Sequence, residues 1–243
     1  GGEILALEAV RVATTTTSFL AEKLRSKGKE VYVVRNQLSK QDVIWAADAL
    51  AKKVNSHKLS ANHPIRIGYL SGTPSHNKDF ATITGALVSI LERFPMVKLV
   101  LAGPLDTESA LTHYTDRIER VSFVPRSELF GVIASLDINL APLEIGNPFC
   151  ESKSELKWFE AGIVSVPTIA SATQTFREAI TDGVDGYVAT TEAEWQEKLE
   201  HLITDSQARH AMGARAREAV LARYTTEASD SAYVEYLHRI LQK

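Results

Sequence analysis

Cysteine is nearly missing from this chain: Cys150 is the single one in 243 residues. One thiol excludes an internal disulfide and a cysteine-rich metal site, and it suits a reducing compartment. A basic excess is missing too. There are 27 Lys and Arg against 30 Asp and Glu, a net charge of −3, and no dense basic block, which argues against nucleic acid as the main partner. No apolar run approaches the roughly 20 residues needed to span a bilayer. The start, Gly1-Gly-Glu-Ile-Leu-Ala-Leu-Glu8, has neither the basic segment nor the cleavage site of a signal peptide, and no initiator Met. It reads as a fragment of something longer. The phosphate-loop spacing GxxxxGK[ST] and a strict GxGxxG are both absent. His57, His63, His113, His201, His210 and His238 are scattered without metal-ligand spacing. No internal repeat or low-complexity segment is present.

What remains is an ordinary globular composition, 44% apolar and 23% charged, enough to bury a sizeable core. Strand patterns at Ala9–Thr14 and Glu30–Val34 flank a helix over Ser18–Lys27 closed by Gly28, and residues 41–54 read as a helix. Asn55–Pro64 is polar and reads as a linker. From Ile65 the alternation becomes regular. Strands are expected at Ile65–Leu70, Val97–Ala102, Val121–Val124, Ile138–Ala141 and Thr168–Ala170. The intervening helices are expected at 78–93, at about 107–115, at 127–134, after the polar loop at 152–154 and at 176–180. A turn at Asp182–Gly186 leads to a short strand at Tyr187, and 192–241 reads as helical almost throughout, with Gly213 as its weak point. Strands alternating with helices imply right-handed βαβ units and a Rossmann-like parallel sheet covered on both faces. Ligands of such sheets bind beyond the carboxyl ends of the strands.

Two loops fall at that edge. In the first, Gly68-Tyr-Leu-Ser-Gly72-Thr73-Pro-Ser-His76-Asn-Lys78-Asp79-Phe80, Gly72 lets the backbone approach a ligand closely, and Lys78 and His76 can serve a diphosphate. The same residues also fit an ordinary turn with Asn77 or Ser75 as the helix cap. In the second, Asn147–Ser171, a polar loop carrying Ser152, Lys153 and Ser154 runs into an apolar helix. A helix start favours anions, Lys153 and Lys157 add positive charge, and Glu160 offers a carboxylate suited to sugar hydroxyls. Phosphate at one end and hydroxyls at the other is the chemistry of a nucleotide-sugar. The competing reading is a solvated helix face with i,i+4 pairs at Lys153, Glu155 and Lys157. It leaves Glu160 on an apolar helix in need of a partner, which a Lys would also supply. Cys150 has no His nearby in sequence and reads as a small buried side chain. Glu144 lies at a strand's carboxyl end and is a candidate lining residue.

The segments Ile67–Phe80, Leu101-Ala-Gly103-Pro, Asp137–Leu143, Lys153-Ser-Glu-Leu-Lys157-Trp-Phe-Glu160-Ala, Val166–Ser171 and Asp182–Val188 resemble the group 1 (family 4) glycosyltransferases of the GT-B fold. The resemblance covers about residues 60–240, the carboxyl-terminal, donor-binding half of such an enzyme. Residues 1–40 would then be the end of the amino-terminal domain or a linker, and 41–243 the nucleotide-sugar-binding domain. What the resemblance implies is a retaining, hexosyltransferase-type enzyme of surface polysaccharide assembly such as O-antigen. Its donor is a nucleoside-diphosphate sugar, and no metal or other cofactor is expected. A glycan or lipid-linked acceptor would come through a missing amino-terminal domain. The cytoplasm is implied as its location, with the inner face of the membrane a candidate.

Carried over by the resemblance, Gly72 and Lys78 belong to the glycine loop facing the diphosphate. Ser154, Glu155 and Leu156 sit where backbone amides hold phosphates or sugar. Glu160 is the second Glu of a Glu-x7-Glu motif and bonds ribose hydroxyls. The pattern departs at Ser152, where the first Glu belongs (Glu151 comes one residue early), and at Thr73, where an Arg is expected. Lys153, Lys157 and His76 are the candidates to compensate. No catalytic residue is assigned. Two alternatives stay open: a GT-B epimerase or phosphorylase-like enzyme, and a non-catalytic interaction module with a degenerate donor site.

Overall fold

A computed structural model describes residues 10–57, 64–72, 77–107, 109–227 and 231–241. Thr73, His76 and most of the expected linker at 55–64 lie outside these residues. The described residues form two sheets. The small one pairs β1 (Val12–Thr15) with β2 (Glu30–Val33) in parallel, joined by α1 (Ser18–Arg25). Thr17 caps α1, its Oγ1 accepting from the Leu20 amide at 3.2 Å, and Gly28 makes the following turn at φ +75°.

After α2 (Lys40–His57) comes the main sheet. Its strands are β3 (Ile65–Leu70), β4 (Val97–Ala102), β5 (Ile118–Val121), β6 (Ile138–Ala141), β7 (Thr168–Ser171) and β8 (Tyr187–Ala189). The order is β5-β4-β3-β6-β7-β8 with every pairing parallel. This is the expected Rossmann-like architecture. Strands β6 and β7 are buried at every residue, as a sheet covered on both faces requires.

Two apolar layers hold it. Phe130, Ile133, Trp158, Phe159, Val220 and Tyr224 pack on one side, and Tyr69, Phe80, Leu87, Ile90, Trp195 and Leu199 on the other. The helices that supply them are α3 (Asn77–Ala81), α4 (Thr84–Arg93), α5 (Arg126–Ala134), α6 (Pro148–Glu151), α7 (Leu156–Gly162), α8 (Gln174–Ala179), α9 (Glu192–Thr204) and α10 (Ser206–Arg223). The last helix, α11 (Ser231–Leu241), returns to the small sheet, where Tyr236 stacks on Tyr32 with centroids 4.6 Å apart.

Four expectations change. The linker read from Asn55 begins later, because α2 runs on to His57. The single helix expected over 78–93 is two, broken where Ile83 leaves helical geometry at ψ 4°. Strand β5 lies three residues earlier than the strand expected at Val121–Val124. Only 118–121 have partners on β4, whose last residue, Ala102, pairs with Val121. The long carboxyl-terminal helix breaks at Asp205 and not at Gly213. Asp205 is extended (ψ 94°) and caps α10 through its carboxylate, 2.8 Å from the Ala208 amide. Gly213 is instead a packing contact, since a Cβ there would meet the Ser165 carbonyl oxygen at 2.3 Å.

Candidate functional site

Strands β3, β4 and β5 step outward in one direction and β6, β7 and β8 in the other, so the chain reverses its course between β3 and β6. A crevice forms beyond the carboxyl ends at such a switch point. There the structure has a cavity of about 510 Å³, within the range of small-molecule sites. It is lined by Leu70 at the end of β3, Ser71 and Gly72 after it, Gly103 after β4, and Ser122, Phe123 and Val124 after β5. Lys153 and Ser154 before α7, Leu156, Lys157 and Glu160 on it, and Arg126 line it as well.

Gly103 is required where it stands. Its φ is +80°, and a Cβ would fall 2.0 Å from the Ser71 carbonyl oxygen. Gly72 is exposed with open space around it. The Leu156 and Lys157 amides at the start of α7 have no carbonyl one turn back to bond and remain available, while the Trp158 and Phe159 amides bond the Glu155 carbonyl.

Two lysines line the cavity. Lys153 Nζ lies 2.7 Å from Asp79 Oδ2, and Asp79 is almost wholly buried. Asp79 Oδ1 also accepts from the Cys150 thiol at 3.2 Å and the Glu144 amide at 3.3 Å. Burial, reinforced by Asp79, pushes the Cys150 thiol up to about 11, so it stays protonated and donates. Asp79, Glu144 and Cys150 bring ligand-type atoms within 4.8 Å of one another. The donors on Asp79 make this an anchoring network between α3, the 144–150 loop and Lys153. Lys157 Nζ donates to the Leu70 carbonyl and rests 4.9 Å from the Tyr69 ring centroid. Desolvation lowers its pKa to about 8, against the opposing pull of Glu160.

Glu160, three residues on from Lys157 along α7, is nearly buried, and its Oε1 takes a 2.8 Å bond from Arg126 Nη1. Burial raises the Glu160 pKa, with Arg126 and Lys157 opposing and Asp42 adding to the rise. Arg126 Nε is bound 2.7 Å from Asp42 Oδ1 on α2. In mid-strand, Asn139 is fixed by its bonds to the Lys157 carbonyl and Thr168 Oγ1, and it also lines the cavity.

Of the ten residues singled out in the sequence, Gly72, Lys153, Ser154, Leu156, Lys157 and Glu160 come together on this cavity. Lys78 sits exposed on α3 and is not among the lining residues. The Glu155 side chain points away from the cavity, which leaves the expected role to its backbone. It is fully buried, and its Oε1 accepts from Tyr224 at 2.7 Å and from Arg35 at 2.9 Å. Only its backbone remains at the start of α7. Thr73 and His76 fall outside the described residues. Glu144 is tied to Asn147 at 2.8 Å and is not a lining residue.

Glu151 and Ser152, around the expected first Glu, are both engaged elsewhere. Glu151 accepts from the Gly146 and Gln174 amides, each at 3.0 Å, and Ser152 Oγ donates to the Phe149 carbonyl. Sequence reasoning missed Arg126, Asp79, Asn139 and Phe123. A buried-strand pattern broken by Asn139 was the one visible signal.

A family described as glycosyl transferase-like matches residues 85–231, more than half of the chain. The chain belongs to that family. The glycosyl transferase-like sheet has the fold of GT-B glycosyltransferases of known structure. HepE of Anabaena, solved in complex with UDP, superposes with a TM-score of 0.75 at 14% identity, covering 94% of this chain and 64% of that one. Sucrose-phosphate synthase of Thermosynechococcus elongatus gives 0.69 at 20% identity, covering 95% and 58%. The pneumococcal O-GlcNAc transferase GtfA, solved with UDP and GlcNAc, gives 0.67 at 13% identity, covering 96% and 46%. At these identities the likeness is one of fold, and this glycosyl transferase-like chain spans less than two thirds of each. No curated protein matches it in sequence.

Proposed function

We propose that this chain is the donor-binding part of a retaining glycosyltransferase that uses a nucleoside-diphosphate sugar. The reading includes the group 1 (family 4) type and a place in surface polysaccharide assembly of the O-antigen kind, with hexosyl transfer. The observation that carries the donor assignment is the mixed lining of one cavity. Lys153, Lys157 and the amide-bearing start of α7 line it together with the Glu160 carboxylate. A diphosphate suits the amides and ammonium groups, and ribose hydroxyls suit the carboxylate. That HepE and GtfA were solved with UDP supports the reading.

The chemistry asked of these residues is electrostatic. As the bond to the sugar breaks, charge grows on the diphosphate. Amides and ammonium groups already fixed in place stabilise that charge without reorganising. Lys153 is held by Asp79 and Lys157 by the Leu70 carbonyl, and each ammonium keeps further N–H donors for phosphate oxygen. The sugar nucleotide enters as substrate, and no metal or other cofactor is assigned. The acceptor is proposed to be a glycan or lipid-linked glycan. An amino-terminal domain, of which residues 1–40 would be the end, would bring it to the same face. Residues 41–243 form the donor domain in this scheme, working in the cytoplasm or at the inner face of the membrane. No helix among the described residues is long and apolar enough to cross a membrane.

Titration with UDP, GDP, ADP and dTDP tests the donor site. A nucleotide at 100 times its dissociation constant should stabilise the fold by about 2.7 kcal/mol. No thermal shift with any of the four at millimolar concentration would refute the reading. One observation favours a second reading, an interaction module with a degenerate donor site. Glu151 and Ser152 are both occupied by local bonds, leaving no first-Glu carboxylate on the cavity. Nucleotide binding without any turnover of sugar donor, even with the amino-terminal half supplied, would select it.

A further inference from the structure

Arg126 opens α5 directly after Pro125. Its Nε is bound to Asp42 Oδ1 and its Nη1 to Glu160 Oε1, and its guanidinium lies 5.7 Å from the Phe130 ring centroid. Asp42 is itself fixed by the Ser39 amide and hydroxyl at 2.9 and 2.8 Å. Two carboxylates from two different helices therefore set the plane of the fork. A guanidinium has five N–H donors in rigid geometry. Among the described residues Nη2 has no partner, and neither has Glu160 Oε2. Both side chains line the cavity, and 43% of the Arg126 side chain is exposed. The pair thus offers one unpartnered donor and one unpartnered acceptor on the same cavity, the complement of a vicinal diol, whose hydroxyls both donate and accept.

We propose that Arg126 is a ribose-binding residue of this cavity: Nη2 donates to one hydroxyl oxygen of the nucleotide's diol while Glu160 Oε2 accepts a hydroxyl proton. This rests on the reading of the cavity as a nucleoside-diphosphate site. Arg126 does two things at once there. Its Nη1 keeps Glu160 charged and aimed despite burial, and its remaining edge contacts the ligand. The charged groups facing Glu160 are Arg126 on α5, Asp42 on α2 and Lys157 on its own helix. Losing the Arg126 charge removes the stronger of the two cations that counter desolvation of the carboxylate.

Calorimetric titration of the whole chain with UDP and 2′-deoxy-UDP, and with GDP and 2′-deoxy-GDP, tests the proposal. The wild type is expected to prefer the ribonucleotide by roughly ten- to a hundred-fold, the worth of a hydrogen bond to a charged group. Arg126→Met should reduce that preference to within about threefold, mainly by weakening the ribonucleotide. Glu160→Gln should reduce it as well. If Arg126→Met fails to fold, Arg126→Lys makes the same comparison. It keeps a positive charge between Asp42 and Glu160 but lacks the second N–H edge. An unchanged preference in the Arg126 variants, or equal weakening of both nucleotides, overturns the role of Arg126 while leaving the donor site standing. A wild type that binds none of the four nucleotides overturns the donor reading and this inference together.

Discussion

Replacing Lys157 with Met separates what the cavity needs for folding from what it needs for binding. The ammonium is held against the Leu70 carbonyl and the Tyr69 ring, and desolvation takes its pKa from the ordinary 10.5 to about 8. A shift of that size means the folded state bears a cost of about 3 kcal/mol for keeping the group protonated. Part of the side chain faces the open cavity, so this is a ceiling. Lys157→Met removes that cost and the bond to Leu70, the latter worth roughly 1.5–3 kcal/mol for a charged donor. The two nearly cancel, and at pH 7 the variant should lie within about 1 kcal/mol of wild type.

The pH dependence should not cancel. Between the folded pKa near 8 and the unfolded value, the unfolded chain holds a proton on Lys157 that the folded chain has released. Wild-type stability therefore gains with rising pH in this window, and the variant lacks the gain. Urea titrations of both proteins at pH 7.5 and 9.5 should show the wild type gaining about 2 kcal/mol relative to Lys157→Met. Other groups titrate in both proteins and drop out of the difference. Parallel stability curves would refute the account of a desolvated ammonium under the cavity floor. The same protonation governs ligands. Diphosphate affinity should be level below pH 8, fall as pH rises above it, and be weak at every pH in the variant.

Arg35→Ala should cost about 3 kcal/mol, because it leaves the fully buried Glu155 carboxylate with Tyr224 alone. Combining it with Glu155→Gln should recover at least about 1 kcal/mol in a double-mutant cycle, and simple additivity would count against the pairing. Gly103→Ala should lose more than about 2 kcal/mol, since it combines positive φ with a clash on Ser71, whereas Gly72→Ala should stay within about 0.5 kcal/mol. Equal urea midpoints for the two variants would contradict this packing at the end of β4. Cys150 should resist Ellman's reagent at pH 8 in the native protein and react promptly in urea; rapid native labelling would mean the Asp79 network is not closed.

Strands β3, β4 and β6 have the bounds that their sequence pattern predicts, since strands of a covered sheet read as largely apolar runs, here interrupted by Arg66, Lys98 and Asn139. The run at 121–124 misled because residues 122–124 are apolar or small for another reason. They extend past the end of β4 and line the cavity. Gly213 looked like a break because glycine lowers helix propensity, but tertiary contact with Ser165 overrides that, and the side chain of Asp205 makes the true boundary. Lys153, Lys157 and Glu160 were legible as a site because polar residues on an otherwise apolar helix demand partners.

Local spacing was sufficient to specify alternating strands and helices, a parallel sheet, and a loop-to-helix start rich in lysine next to a carboxylate. These follow from interactions within a few residues. Which residues share one cavity depended on the reversal of strand order between β3 and β6. That reversal brings α7 opposite the ends of β3, β4 and β5. Arg126 and Glu160 are 34 positions apart, and Lys153 and Asp79 are 74 apart. No periodicity connects such pairs, and only the closed fold sets Arg126 between Asp42 and Glu160 and turns Glu155 away toward Arg35.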